Sequence, residues 1–256
     1  MKPAPTPQPL APVAFLGPDA TEQVQPFYRL PARFLPVSVP RPDLSAAIGG
    51  LAALGFLGAI LSGETQAQAP ALVGRASLAA TQAGAMDALA VHGSTLMGDF
   101  TFSDALTAAL EDAGARLSGA RVLVLGSGAT ARAAVALSRL GLAALTVCGP
   151  DRPSAERVLA LAPGSLERRA VTFTETGLAD AVRRADLLVL AERGARLDAR
   201  LLEPAHALVE AAGPSLLSTH LRGLGGQVIA HERLTRIHLA AQVKAVTAQA
   251  FDPGDL

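Results

Sequence analysis

The chain has 256 residues and a formal net charge of +0, with 50% hydrophobic residues, 17% charged residues, 24 glycines and one cysteine. This length is enough for one large domain or two smaller ones, and the balanced charge gives no basic stripe, so we expect no nucleic-acid partner. A single cysteine cannot form an internal disulfide, which favours a reducing compartment and a cytoplasmic protein.

Two segments near the start of the chain resemble membrane signals. Residues 1–12 contain five prolines and no apolar core region, so they are predicted to form a Pro-rich tail. Residues 45–62 carry no charge over 18 residues, which is the length of a bilayer span. Their glycines and a change of period at Gly55 instead favour a helix over 43–54 and a buried strand over 56–61. We therefore expect no membrane partner.

From Val13 onward, β-like apolar runs alternate with helical ones, which is typical of an α/β fold. Ser103 is a good N-cap for a helix that ends at Gly114 and links two units. Further strands of the first unit are predicted over residues 13–16, 33–39, 85–91 and 96–98.

The second unit begins with the apolar run 121–125, a glycine turn and a helix that ends at Gly141. Repeated strand and helix units predict a parallel sheet buried on both faces. An amphipathic helix over 233–251 could pack back onto the first unit. The remaining predicted elements are strands over 144–148, 171–173 and 186–190 and helices from Ser154 and over 177–184.

A dinucleotide-binding fingerprint, G-x-G-x-x-G/A, follows the first strand of the second unit and opens a helix. Gly126 permits the tight turn, Gly128 lets the backbone approach a pyrophosphate, and Ala131 allows close helix packing. The alternative is a glycine turn that only packs the helix on the sheet. The predicted dinucleotide site consists of Gly126, Ser127, Gly128, Ala129, Thr130 and Ala131.

The end of the next strand, about twenty residues further on, should select the dinucleotide. Cys148 stands there, in place of the acidic residue that would bind a ribose 2′-hydroxyl. Arg152 could meet a 2′-phosphate, whereas Asp151 would oppose it. The pattern slightly favours NADP, with NAD or no cofactor as alternatives, and both residues could instead form a solvated turn.

Over about residues 13–251 the chain resembles shikimate dehydrogenases. RVLVLGSGATAR at 121–132 is similar to VLVLGAGGAARA of that family. The resemblance implies an N-terminal substrate-type domain (13–102 and 236–256), a Rossmann-like dinucleotide-binding domain (103–235) and a cleft between them. Weaker matches in the same order are Gly17 with Pro26, GFLG at 55–58, Gly84 with Ala85, Gly98 with Thr101, and Leu239 with Gln242.

The resemblance also assigns the family's functional positions to residues of different chemistry. The serines that hold the substrate carboxylate fall on Gln23 and Gln25. The catalytic lysine falls on Gln66 and the catalytic aspartate on Phe102, and neither of these side chains can accept a hydroxyl proton. No lysine lies between Lys2 and Lys244. The other implied cleft residues are Asp87, which replaces an asparagine, and Ser62, Thr101 and Gln242, which keep comparable chemistry.

A replacement acid could come from a carboxylate elsewhere in the first unit. Each candidate could equally serve the helix dipole or be solvated. The histidines lack a second histidine or cysteine at ligand spacing, so we expect no metal site and assign them structural roles. The candidate acids are Glu64, Asp87, Asp99 and Asp104, and the histidines are His92, His206, His220, His231 and His238.

Three functions remain open from the sequence. The leading one is a shikimate dehydrogenase-like NAD(P)-binding protein without shikimate dehydrogenase activity. The alternatives are an active NADP-dependent oxidoreductase with a relocated proton donor and a non-catalytic ligand sensor or interaction protein, as monomer or homodimer. Asp87 is the one formal charge in the implied cleft, so we expect a neutral or cationic small molecule that contacts Phe100 and Phe102. Otherwise both phenylalanines simply fill the core.

Overall fold

Two β-sheets follow one another along the chain. The computed structural model describes residues 10–174, 176–194 and 197–256. The first sheet and its helices are β1 (Ala11–Leu16), α1 (Ala20–Val24), β2 (Phe34–Val39), α2 (Leu44–Gly50), β3 (Gly58–Leu61), α3 (Glu64–Gln68), α4 (Leu78–Ala83), β4 (Ala88–His92), β5 (Thr95–Asp99) and α5 (Phe102–Asp112). The second part comprises β6 (Arg121–Leu125), α6 (Ala129–Ala134), β7 (Ala144–Gly149), α7 (Arg152–Leu159), β8 (Glu167–Thr172), α8 (Gly177–Arg184), β9 (Leu187–Leu190), β10 (Ala207–Val209), α9 (Leu216–Gly223), β11 (Gln227–Ile229) and α10 (His231–Thr247).

The second sheet is parallel throughout its described pairs, in the order β11-β10-β9-β6-β7-β8. The first sheet has the order β2-β1-β3-β4-β5, with parallel pairing from β2 to β3 and antiparallel pairing from β3 to β5. Helices cover both faces of a parallel sheet, which is why β6 and β9 are nearly continuous apolar runs. The predicted α/β fold class is confirmed.

One apolar core cluster joins the two sheets. It contains Leu61 of β3 together with Val124 of β6 and Val189 of β9. Helices α4 and α5 both pack against α6 at this junction. The fully buried Ala83 of α4 and Ala134 of α6 belong to the same cluster. Their small side chains allow the helix backbones to approach closely.

The last helix packs onto the first sheet. Leu239, Val243 and Val246 of α10 share an apolar cluster with Val13 and Phe15 of β1. The helix begins two residues earlier and ends four residues earlier than predicted. It ends where Ala248 adopts the left-handed conformation, with φ 57°, which cannot continue an α-helix.

Two predicted helix starts were wrong because another residue precedes the first helical turn. α5 follows Thr101, so Ser103 lies within its first turn and is not the N-cap. α7 follows Asp151, whose Oδ1 accepts a hydrogen bond of 2.7 Å from the backbone N–H of Ser154. Ser154 therefore lies inside α7, two residues after its start.

The uncharged segment 45–62 forms a helix, a turn and a strand. The prediction of two elements is confirmed, but α2 ends at Gly50 and β3 starts at Gly58, so both elements are shorter than predicted. A Cβ at Gly58 would lie 1.9 Å from the carbonyl oxygen of Leu89, so glycine allows β4 to approach. None of the described helices is long and apolar enough to cross a membrane.

Several elements fall outside the sequence prediction. The short strands β10 and β11 and the helix α9 were missed, and β8 starts at Glu167, four residues before its predicted start. β1 begins at Ala11, within the predicted Pro-rich tail 1–12, most of which lies outside the described residues.

We predict that His206 makes the fold less stable in mild acid. Burial lowers the pKa of His206 below its ordinary value of 6.5, against the charges of Glu203 and Asp186. As the pH falls below that value, the unfolded chain takes up a proton before the folded chain does, so the free energy of unfolding decreases. Urea unfolding at pH 7.5 and 5.5 should show a larger fall in midpoint for the wild type than for H206N. Equal falls would contradict this assignment.

Candidate functional site

The glycine turn between β6 and α6 is held against the neighbouring strands. Gly126 has φ 134°, and a Cβ there would lie 2.8 Å from Cβ of Glu192 and 3.1 Å from the carbonyl carbon of Ala191. Its N–H donates a hydrogen bond of 2.8 Å to the carbonyl of Cys148 at the end of β7. Position 126 therefore requires glycine for both conformation and space.

Open space lies over the next glycine of the turn. Gly128 is exposed, and a Cβ built there meets nothing within 4 Å. Ala131 is fully buried, so the start of α6 lies close to the sheet. The first N–H groups of a helix have no acceptor within the helix, and here they adjoin the open space. Residues 126–131, including the half-buried Ser127, Ala129 and Thr130, therefore fit a pyrophosphate.

Charges of both signs follow β7. Asp151 caps α7, and the backbone N–H of Ser154 lowers the pKa of its carboxyl group. The guanidinium of Arg152 lies 3.9 Å from the carboxylate of Glu156, and both side chains are exposed. Cys148, within β7 just before this turn, is fully buried. An ionised Asp151 beside Arg152 does not distinguish a ribose hydroxyl from a 2′-phosphate.

Three polar residues meet around the buried residue Asp87. Asp87 immediately precedes β4 and is 0% exposed. Both of its carboxylate oxygens lie 2.9 Å from the backbone nitrogen of Thr101, and Oδ2 lies 2.7 Å from Nε2 of His238. One turn later in α10, Nε2 of Gln242 donates 3.2 Å to the carbonyl of Asp87. We call Asp87, Thr101, His238 and Gln242 the Asp87 cluster.

The Asp87 cluster satisfies the buried charge with donors from two helices. A buried carboxylate is costly unless it is paired and hydrogen-bonded. The Thr101 amide at the start of α5 and the His238 imidazole on α10 supply these donors. Sequence reasoning missed the His238 contact, because the two residues are 151 positions apart.

The positions that the resemblance gives to the catalytic lysine and aspartate make other contacts. Nε2 of Gln66 donates 2.9 Å to the carbonyl of Leu61, at the end of β3. Phe102 is 5% exposed and Phe100 3%, and their ring centroids are 6.4 Å apart. The two phenylalanines belong to the core, which was one of the alternatives left open. The ring of His238 packs edge-on against Phe102, with centroids 5.3 Å apart.

The remaining predicted cleft residues lie on or beside α1. Oγ of Ser62 accepts a hydrogen bond of 3.2 Å from the backbone N–H of Asp19, just before α1. Gln25 is exposed and donates to the carbonyl of Thr21 in the same helix. Oε1 of Gln23 is buried, and nothing in the described part of the chain donates a hydrogen bond to it. Gln23 therefore offers an acceptor that a ligand could use.

Carboxylates gather beside the Asp87 cluster. Burial raises the pKa of Asp104, the charges of Asp99 and Asp87 raise it further, and Lys244 opposes them. The side chain of Asp99 accepts from the backbone N–H of Phe100. Among the described residues no group of three potential ligands could hold a metal ion. The electrostatics of this region therefore disfavour an added anion.

We predict that replacement by alanine lowers the stability of the protein at Gly126 and leaves it almost unchanged at Gly128. Gly126→Ala should destabilise the protein by about 1–3 kcal/mol, because the new Cβ meets backbone and the residue has a positive φ. Gly128→Ala should change stability by less than about 0.5 kcal/mol, because the space there is open. Urea unfolding measures both values. Similar losses in the two variants would show that the turn is packed differently.

Comparisons with known proteins agree with this architecture. No protein-family model matches the chain. A shikimate dehydrogenase (NADP(+)) from Rubrobacter xylanophilus is 38% identical over 116 residues, and one from Symbiobacterium thermophilum is 34% identical over 118 residues. The aligned segments cover 44% and 46% of this chain but only 41% and 40% of those relatives, so the chain matches about two fifths of their length.

Solved structures match over nearly the whole chain. Shikimate 5-dehydrogenase from Listeria monocytogenes, crystallised with shikimate and NAD, has a TM-score of 0.82 at 14% identity and covers 98% of this chain and 96% of its own. 5-Ketofructose reductase from Gluconobacter, in its ligand-free form, has a TM-score of 0.78 at 19% identity and covers 97% and 96%. At these identities the likeness establishes a shared two-domain fold with a Rossmann-like domain.

Proposed function

We propose that this chain is a member of the shikimate dehydrogenase family that binds a nicotinamide dinucleotide but does not oxidise shikimate. The observation that carries this proposal is a contrast between two parts of the molecule. The glycine turn 126–131 retains open space for a pyrophosphate. The positions of the lysine and aspartate hold Gln66, bonded to Leu61, and the buried Phe102.

The dinucleotide would lie across the turn at the carboxyl end of the second sheet. Gly126 shapes the turn, Gly128 leaves room for the phosphates, and the first amides of α6 donate to them. The bound nicotinamide supplies hydride transfer. The known relatives include NADP(+)-dependent enzymes and a structure with NAD. The ionised Asp151 offsets the slight preference for NADP that Arg152 would give, so this chain is proposed to accept either dinucleotide.

Oxidation of an alcohol to a ketone requires a group that accepts the hydroxyl proton. Gln66 cannot exchange a proton at neutral pH, and Phe102 has no ionisable group. Gln23 and Gln25 also place longer amides where the resemblance implies the two serine hydroxyls that hold the substrate carboxylate. Shikimate would thus lose the proton acceptor and meet a carboxylate site of a different shape.

The same residues suggest the class of ligand. Asp99 and Asp104 lie near the buried Asp87, so an anion would be repelled. The unpartnered oxygen of Gln23 would accept a hydrogen bond from a hydroxyl or amine group. We therefore propose an uncharged or cationic small molecule. The 5-ketofructose reductase with the same fold is named for a substrate that has no carboxylate.

Calorimetric titration should detect binding of NADP⁺ or NAD⁺ to the wild type at up to millimolar dinucleotide. Gly128→Val should abolish it, because the new side chain fills the space over the turn. Gly164→Val is the matched control, since Gly164 also has open space around it but lies before the amino end of β8. No binding by the wild type, or equal binding by Gly128→Val, would leave the turn with a structural role only.

Incubation of the protein with shikimate and NADP⁺ should give no reduced dinucleotide above background. Loss of a proton acceptor alone typically lowers the rate by about 10²–10⁴-fold. The Rubrobacter xylanophilus relative serves as the active control in the same assay. Turnover within the usual enzyme range, roughly 1–10³ per second, would refute the proposal.

A further inference from the structure

His238 differs from two other histidines in the kind of group that it contacts. His206 and His231 have ring nitrogens bonded to backbone groups. His238 instead places Nε2 at 2.7 Å from the carboxylate of Asp87, which is fully buried. A carboxylate in this position fixes the ring orientation and keeps the proton on Nε2, so that Nδ1 is the nitrogen that can exchange a proton.

The second ring nitrogen of His238 is accessible. The side chain is 18% exposed. No described residue makes a hydrogen bond to Nδ1. In the described part of the chain, Oε1 of Gln23 is the side-chain nitrogen or oxygen atom that is buried without a partner. Nδ1 is therefore in contact with solvent and within reach of a ligand.

The imidazole also lies beside the position of the missing aspartate. Its ring packs on Phe102, the first residue of α5, with the ring planes at 88°. α5 packs against both α10 and α6. It therefore contacts the helix that carries His238 and the helix that the glycine turn 126–131 opens. The imidazole of His238 therefore lies near the junction of the two sheets. It is an acid–base group in a part of the chain that has no lysine at the family's catalytic position.

We propose that His238, positioned by Asp87, transfers the proton when this protein interconverts an uncharged hydroxy compound and its ketone. This inference rests on the proposed function, because the dinucleotide must supply or receive the hydride. In the reductive direction the carbonyl carbon gains a hydride from the reduced nicotinamide. The carbonyl oxygen takes the proton from Nδ1 of the imidazolium, and an alcohol and the oxidised nicotinamide are formed. In the oxidative direction neutral Nδ1 accepts the hydroxyl proton as hydride leaves the carbon.

Charged groups surround the contact between His238 and Asp87. Asp87, before β4, contacts the imidazole directly. Asp104 on α5 interacts electrostatically with Asp87, with Asp99 at the end of β5 and with Lys244 on α10. Three of these four groups are carboxylates. They disfavour a carboxylate-bearing substrate, in agreement with a neutral ketone.

The first test needs no substrate or dinucleotide. NMR spectra of ¹⁵N-labelled histidine would report which ring nitrogen of neutral His238 carries the proton, with the signal assigned by its NOE to the Phe102 ring. We expect the proton on Nε2 in the wild type and a mixture of the two tautomers in Asp87→Asn. The exposed His92 is the internal control and should give the same spectrum in both proteins. A proton on Nδ1 in the wild type, or a His238 signal that Asp87→Asn leaves unchanged, would overturn the inference.

The second test measures reduction of 5-ketofructose by NADPH and NADH. His238→Asn should lower kcat by about 10²–10⁴-fold while the Kd for the dinucleotide changes less than about twofold. His220→Asn, on the exposed surface of α9, should retain the wild-type rate. Asp87→Asn should shift the pH profile of kcat/KM, which a purely structural defect would not do. Circular dichroism establishes that each variant is folded.

The two proposals fail in different ways. Dinucleotide binding without reduction of 5-ketofructose, or reduction that survives in folded His238→Asn, would overturn the assignment of His238 and leave the proposed function intact. Absence of dinucleotide binding in the wild type would overturn the proposed function itself. Reduction that depends on His238 would support both.

Discussion

The burial of the Asp87 carboxylate is the constraint on which the first part of the molecule depends. A charge that is 0% exposed requires donors from its surroundings, and these come from the start of α5 and the middle of α10. The carbonyl of the same residue accepts from Gln242. The last helix of the chain is thereby fixed to a strand whose residues are about 150 positions earlier. Its apolar face, with Leu239 and Val243, completes the packing against β1.

Two positions to which the family resemblance assigns catalytic groups are occupied here by residues that take part in the folded structure. The amide of Gln66 donates to the carbonyl of Leu61 at the end of β3, and Phe102 belongs to the apolar core that joins the sheets. Polar contacts in this part of the molecule are made instead at the Asp87 cluster.

Much of the second sheet could be predicted because β6, β7 and β9 are apolar runs, and glycine marks the ends of β6 and β7. β6, β7 and α8 lie close to their predicted positions, and the glycine turn has the predicted place between β6 and α6. β10 and β11 have only three residues each, which is too short for a periodic signal. The starts of α5 and α7 were misplaced because Ser103 and Ser154 both look like N-caps in sequence, and only the folded backbone shows which residue precedes the helix.

The glycine turn could be predicted from the sequence, whereas the Asp87 cluster could not. Residues 126–131 form one contiguous motif, whereas the Asp87 cluster is assembled from three separate segments. A signal for His238 was nevertheless present: it lies four residues before Gln242, so both side chains lie on one face of a helix. The spacing of histidines and cysteines in the sequence says nothing about a pairing with a carboxylate 151 positions away.

A crystal structure of the protein with NADP⁺ tests most directly whether the glycine turn and His238 serve one site. We expect the pyrophosphate to lie over Gly128. The nicotinamide should leave a gap in which a substrate carbon can lie about 3.5 Å from the ring and its oxygen about 3 Å from Nδ1 of His238. A dinucleotide bound elsewhere, or a nicotinamide separated from His238 by packed side chains, would contradict this expectation.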